Sequence, residues 1–182
     1  MAVGGDRVDL DPQRDVLVNV SALGDPVPSA RCMGGREFET QIPDARASVT
    51  DADRQQGLRR GIALLPAVEP GSGPYPGRQA RWLGAAETSG QRLAALSWYL
   101  AMMTDTCLRL TGAKGPVIVE GPFARNRDYL DMLASLRPGG VETAASATGT
   151  SVGAALLLID RAVPSGTTPH VPAGPLSGYR GY

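Results

Sequence analysis

"VIVEGPFARNRDYLDMLAS", residues 117–135, joins a short apolar run to an amphipathic stretch through the loop at residues 120–126. The run before the loop is apolar at every position, as in strands that are buried on both faces of a sheet. After the loop, Leu130, Leu133 and Ala134 recur at helical spacing, and Asn126 is a suitable N-cap residue. The segment therefore predicts a buried strand, a loop and a helix.

The segments on either side continue this alternation. Upstream, a long helix is predicted that Thr88 or Ser89 can begin and Gly112 can end; its apolar face consists of Leu93, Leu96, Leu100, Met103, Cys107 and Leu110. Downstream, residues 138–140 (Pro-Gly-Gly) end the second helix, and residues 141–143 are a possible strand. "TGTSVGAALLLIDRAV" (148–163) predicts a third helix, so the order of elements favours an α/β fold.

The two halves of the chain differ in composition. Residues 1–84 are rich in Pro, Gly and Arg, whereas residues 85–163 are periodic and rich in Ala and Leu. In the first half, residues 15–32 predict a β-hairpin with its turn at residues 24–26, and a short helix is expected from Asp51. Residues 164–182 carry turn formers without periodicity, which predicts an extended or irregular tail.

Composition excludes several classes of partner. Eighteen basic and eighteen acidic side chains cancel, so neither a nucleic acid nor an anionic membrane is expected. The longest apolar run, residues 153–159, is far shorter than the roughly 20 residues that span a bilayer. The N-terminus has no apolar signal segment, and the two cysteines have no metal-type spacing. A cytoplasmic protein with reduced thiols is expected.

Three stretches are candidate ligand sites, and each has a structural alternative. A loop before a helix N-terminus suits an anion or nucleotide, but residues 120–126 contain no P-loop or dinucleotide motif, and a connecting turn is favoured on spacing alone. "MGGREFE" (33–39) could position a polar ligand, close a domain interface or lead as a solvated turn into a helix. The small residues of "TGTSVGAA" (148–155) favour close helix packing over a phosphate cradle.

The remaining chemistry-bearing residues do not predict a catalytic or metal site. His170 is the only histidine and has neither a triad nor a ligand cluster around it in the sequence. Cys107 falls on the apolar helical face and is expected in the core. Neither Asp105 nor Asp131 has a second carboxylate at a spacing that would indicate a catalytic pair. The residues alone therefore give a fold class and a candidate pocket, without a reaction.

The segment 117–158 resembles the closing part of the FGGY family of carbohydrate kinases. There a strand leads into a Gly-Gly loop that ends in Asn, a helix and a short strand follow, and a final helix begins with small residues. Gly153, Ala154 and Ala155 match that last element, and the long helix precedes the strand as in the family. "LVNVSALGDPVPSARCMGGREFE" and "LPAVEPGSGPYPG" resemble the middle of the family's C-terminal lobe, so the resemblance runs from about residue 9 to 163.

The resemblance implies a ribonuclease-H-like, actin-like ATPase lobe with a mixed sheet flanked by helices, over residues 1–163. It implies a lobe that binds ATP, with Mg²⁺ carried by the nucleotide, in a kinase that transfers the γ-phosphoryl group to a sugar hydroxyl. Residues bordering the adenosine would be Gly121, Phe123, Ala124 and Asn126. Subfamily resemblance favours a ketose or deoxy-ketose.

Two departures from the family pattern qualify this expectation. Glu120 stands where the family has the first glycine of its pair, and Pro122 and Phe123 stiffen a loop that is normally small. The resemblance finds no counterpart here of the N-terminal lobe, the catalytic aspartate or the Gly-Thr phosphate loop. The chain is therefore expected to be inactive alone and to pair with a complementary chain or with itself. The alternative is a non-catalytic remnant or interaction module with the same fold.

Overall fold

The computed structural model describes residues 1–6, 10–21, 23–144 and 166–173. Four α-helices lie within them: α1 (Gly34–Gln41), α2 (Asp51–Arg59), α3 (Ser89–Leu110) and α4 (Arg127–Leu136). The strands are β1 (Ala2–Val3), β2 (Val16–Val20), β3 (Pro26–Ala30), β4 (Ala63–Leu65), β5 (Arg81–Leu83), β6 (Val117–Val119), β7 (Val141–Ala144) and β8 (Thr167–Pro169). Short 3₁₀ helices occur at Pro12–Arg14 and Pro122–Arg125. The described part of the chain is mixed α/β, as predicted.

Helix α3 is the element around which the others pack. The Thr88 hydroxyl accepts a hydrogen bond from the Gln91 backbone N–H, which begins the helix where the sequence predicted. Its side chains are buried on more than one face, because α1, α2 and α4 contact it as well as strands β1, β3 and β4. The main hydrophobic core includes Leu96, Leu100 and Met103 from α3. A helix of this length therefore joins both halves of the chain.

The described strands form three small sheets. β1, β3 and β2 lie in that order in one antiparallel sheet, and β4 pairs with β5 in another. In the third, β6 pairs with β7 in parallel and β7 pairs with β8 antiparallel. The parallel pair places the carboxyl end of β6 and its following loop at one edge of the sheet.

Buried polar contacts tie distant parts of the chain together. Arg54 on α2 donates two hydrogen bonds to the Asp128 carboxylate on α4, with Nε–Oδ1 at 2.6 Å and Nη2–Oδ2 at 3.1 Å. The side chains are only 10% and 8% exposed. Because Asp128 lies in the first turn of α4, this ion pair fixes the start of that helix against α2.

A second polar anchor lies at Asp15. Its carboxylate accepts hydrogen bonds from the Arg31 guanidinium, the Ser72 hydroxyl and the Gly73 backbone N–H. Burial opposes its ionisation, but these hydrogen bonds prevail and lower the pKa of Asp15. The hairpin strand β2 is thereby attached to the Pro- and Gly-rich loop that follows β4.

Most predicted elements are present, with two differences in the first 144 residues. The hairpin, the helix from Asp51, the long helix and the strand–loop–helix unit are confirmed. Residues 33–39 contribute to helix α1, although Gly34 and Gly35 begin it. Ile118 in β6 is 55% exposed, where a strand buried on both faces was expected.

The end of the chain is described only in part. The predicted third helix, 148–163, lies outside the described residues. Within the predicted irregular tail, Thr167–Pro169 form the strand β8 against β7. Across the described residues, no helix is both long enough and apolar enough to cross a bilayer.

Candidate functional site

The loop after β6 has a shape that depends on one glycine. Gly121 has φ +74° and ψ −157°, a backbone conformation that is essentially restricted to glycine. A Cβ built on Gly121 would meet no other atom within 4 Å, so the space above this residue is open. The 3₁₀ helix at Pro122–Arg125 follows and leads into α4. The loop is thus compact, and a ligand could approach its backbone at Gly121.

Asn126 ends the loop and caps α4. Its Oδ1 accepts a hydrogen bond from the Tyr129 backbone N–H at 3.1 Å, and its Nδ2 donates one to the Ser97 hydroxyl on α3 at 3.0 Å. The Asn126 side chain therefore has two structural roles: it caps α4, as predicted, and it links the loop to α3. Together the two contacts hold the loop in place.

Phe123 and Ala124 face the protein interior more than the sequence suggested. The Phe123 ring packs edge-on against Phe38 of α1 with centroids 5.9 Å apart, and tilted against Tyr129 of α4 at 5.1 Å. Ala124 also packs against the main core. These contacts join the loop to α1, so "MGGREFE" and the loop after β6 meet in space.

A cleft of about 710 Å³ lies between these two segments. Residues 1–5, 32–36 and 116–120 line it, together with Phe123. Glu120 and Ile118 belong to one wall, and Gly34 belongs to another. The volume falls within the range of about 300–1,000 Å³ that is typical of small-molecule sites. The structure therefore brings together two of the three stretches that the sequence singled out.

The cations that line the cleft are paired with carboxylates. Lys114 lies 2.5 Å from Asp6, and the Arg137 guanidinium lies 3.3 Å from Asp105. Arg36, at the start of α1, lies 3.1 Å from Glu69. Glu120 takes part in none of these ion pairs. The cleft consequently combines apolar surface with one carboxylate that forms no ion pair among the described residues.

Two thiols and a buried carboxylate lie behind the start of α1. Cys32 lines the cleft and packs against the smaller core cluster that contains Cys107. A hydrogen bond with the Cys107 thiol lowers the pKa of Cys32 to about 7, against the opposing effect of burial. Glu37 is fully buried, which raises its pKa, and among the described residues neither of its carboxylate oxygens has a hydrogen-bond partner. Neither feature was anticipated from the sequence, because each depends on contacts between distant segments.

The other residues considered in the sequence have structural contacts. His170 Nε2 lies 2.7 Å from the buried Asp131 carboxylate, which attaches the β8 segment to α4. Asp105 is held by Arg109 and Arg137. Cys107 is in the core, as predicted. Among the described residues, no group of three or more His, Cys, Asp or Glu side chains could hold a metal ion.

Comparison with known proteins identifies the family of this domain. The sequence model described as "Carbohydrate kinase FGGY, C-terminal domain" matches residues 1–167. The chain belongs to the FGGY family of carbohydrate kinases. The predicted family is thereby confirmed, and the loop, cleft and helices described above are parts of its C-terminal domain. No curated protein is matched by the sequence.

Solved structures of carbohydrate kinases share the fold. A carbohydrate kinase from Novosphingobium aromaticivorans is 39% identical over 90% of this chain, with a TM-score of 0.79. Xylulose kinases from Bifidobacterium adolescentis and Rhodospirillum rubrum are 17% and 15% identical over 97% and 92% of this chain, with TM-scores of 0.60 and 0.54. At these lower identities only the fold is comparable. The chain spans 38% of the first structure and 39% of the other two.

Proposed function

We infer that this domain binds ATP in the cleft between the loop after β6 and the start of α1, within a kinase that transfers the γ-phosphoryl group to a sugar hydroxyl. The observation that carries this proposal is the meeting of the two segments around a cleft of about 710 Å³ in a carbohydrate kinase domain. A ribonuclease-H-like, actin-type lobe is the form of the fold that we propose. The sugar is proposed to be a ketose or deoxy-ketose, and the protein to be cytoplasmic.

The residues of the cleft fit the nucleoside part of such a ligand. Ile118 is 55% exposed and lines the cleft, and the open space above Gly121, the residue after the cleft-lining Glu120, lets a flat ring approach the backbone beside the cleft. Phe123, Ala124 and Asn126 are proposed to border the adenosine through the loop that they hold, since their side chains pack inward or cap α4. ATP would supply the phosphoryl group and carry Mg²⁺; no residue of this chain is assigned a catalytic role.

The reaction is proposed to require more than this domain. Phosphoryl transfer depends on positioning of the acceptor hydroxyl and on neutralisation of the phosphate charge. The chain spans about two fifths of the related kinases, and the cations in its cleft are already paired. We therefore expect the isolated chain to bind nucleotide without phosphorylating sugar, with the sugar site supplied by a further lobe or a complementary chain.

The test is a thermal-shift titration of the chain with Mg-ATP and with two glycine variants. A ligand that binds only the folded state stabilises it by about 2.7 kcal/mol at a hundredfold excess over its dissociation constant. Gly121→Ala places a methyl group in the open space above the loop and should reduce the ATP-dependent shift. Gly24→Ala is the matched control, because Gly24 has φ +88°, has similarly open surroundings and lies in the hairpin turn outside the cleft.

The outcomes separate the two functions that the sequence left open. A saturable shift that is lost in Gly121→Ala and retained in Gly24→Ala supports nucleotide binding at this loop. No shift up to millimolar ATP overturns the proposal and favours an interaction module that keeps the fold.

A further inference from the structure

The direction of β6 places two side chains of opposite character on the wall of the cleft. All three residues of β6 line the cleft; Val117 and Val119 also pack against the core, whereas Ile118 is 55% exposed. Glu120 comes two residues after Ile118 and is also exposed in the cleft. Ile118 and Glu120, which directly follows β6, therefore bring apolar surface and a carboxylate close together on this wall of the cleft.

Among the described residues, no ion pair neutralises the charge of that carboxylate. Three cationic side chains line the cleft, and each has its own carboxylate partner: Arg36, Lys114 and Arg137. None of the ion pairs or side-chain hydrogen bonds among the described residues involves Glu120. A carboxylate in this state only accepts hydrogen bonds, so it favours a ligand group rich in donors and repels phosphate.

Combined with the nucleotide binding proposed above, on which this step rests, the geometry points to a specific partner for Glu120. We propose that Glu120 accepts hydrogen bonds from the two ribose hydroxyls of the nucleotide and so determines which way round it binds. Two adjacent hydroxyl donors match the two oxygens of a carboxylate, and acidic side chains bind ribose hydroxyls in this way in other nucleotide-binding folds. The base then lies towards Ile118, and the phosphates point away from Glu120.

This assignment gives Glu120 a role in nucleotide binding that its charge alone does not suggest. A glutamate at the end of β6 does not have to weaken nucleotide binding, provided that it faces the ribose rather than the phosphates. It then acts as a specificity determinant, because a nucleotide without ribose hydroxyls leaves the carboxylate without donors.

The experiment compares Mg-ATP with Mg-2′,3′-dideoxy-ATP by isothermal titration calorimetry. Wild type should bind the dideoxy nucleotide about ten- to a hundredfold more weakly, as expected for the loss of hydrogen bonds to a charged group. In Glu120→Ala the two dissociation constants should agree within about threefold, because no acceptor remains. Glu39→Ala removes an exposed carboxylate of α1 outside the cleft and should keep the wild-type ratio.

The ratio of the two constants is the readout, because removing Glu120 also relieves repulsion of phosphate and shifts both affinities together. A wild-type ratio near one, or an unchanged large ratio in Glu120→Ala, overturns the role of Glu120 while nucleotide binding stands. Failure of wild type to bind either nucleotide overturns the proposed function and the role of Glu120 with it. Circular dichroism of each variant confirms that the fold is retained.

Discussion

Removing Arg54 should destabilise the domain strongly, although the residue lies outside the cleft. Arg54→Met keeps most of the side-chain volume but leaves the Asp128 carboxylate, 8% exposed, without its cation. Breaking a buried ion pair on one side costs about 3–5 kcal/mol. Asp128 lies in the first turn of α4, where the helix dipole recovers about 0.3–1 kcal/mol. The expected loss is therefore about 3 kcal/mol.

Urea unfolding measures this loss. With a slope of about 2 kcal/mol per molar urea, the midpoint should fall by about 1.5 M. The double variant Arg54→Met/Asp128→Leu removes both charges and should recover most of the stability, since apolar replacements of buried ion pairs are often neutral. Glu87→Gln breaks the more exposed pair of Glu87 with Arg60 and is the control, with an expected change of about 1 kcal/mol or less.

Two outcomes would contradict the predicted role of the Arg54–Asp128 ion pair. If Arg54→Met changes stability no more than Glu87→Gln does, the Asp128 carboxylate is hydrogen-bonded by water or another donor in the variant. Its charge is then not left buried and uncompensated. If the double variant is no more stable than Arg54→Met, the loss comes from the packing of Arg54 rather than from an uncompensated charge.

Three further predictions concern thiol chemistry, pH and association. Iodoacetamide should label Cys32 before Cys107, and the labelling of Cys32 should become faster as the pH rises through about 7. In Cys107→Ala the hydrogen bond that lowers the pKa of Cys32 is lost, so peptide mass spectrometry should show slower labelling of Cys32. Because the pKa of Glu37 is raised in the folded state, its contribution to stability is fully present below about pH 4.5 and is lost as the pH rises through the folded-state pKa. The increase in melting temperature of Glu37→Gln over wild type should therefore be larger at pH 8 than at pH 5; an equal increase at both pH values contradicts this. The hairpin exposes Val20 and Leu23, so we expect light scattering to show self-association that Leu23→Ser weakens; a monomer at high concentration refutes it.

Local signals in the sequence predicted the local structure well. Thr88 and Asn126 cap helices α3 and α4 as expected, since capping depends on residues three positions apart. The hairpin turn at residues 24–26 was visible for the same reason. The strand–loop–helix unit could therefore be predicted from the sequence, whereas spacing alone favoured a connecting turn over a ligand site at its loop.

Features that depend on distant contacts could not be predicted in this way. Arg54 and Asp128 are 74 residues apart, and no periodicity relates them. Helix α1 begins with Gly34 and Gly35, which intrinsically disfavour helix, and is held by packing of Phe38 on Phe123. Ile118 belongs to an apolar run that suggests a core residue, and its exposure depends on which elements pack against β6, which the run does not encode.

The central position of α3 has a consequence for how the sequence can vary. Its residues contact elements from β1 to α4, so few of its positions can change without affecting several neighbours at once. Close-packed interiors respond even to single methylene changes. In a library of single substitutions, α3 should tolerate the fewest, whereas the hairpin turn around Gly24 and Leu23 should tolerate many. Divergence within this domain is then expected to accumulate at its surface loops, with α3 as the segment that relatives share most closely in size and shape.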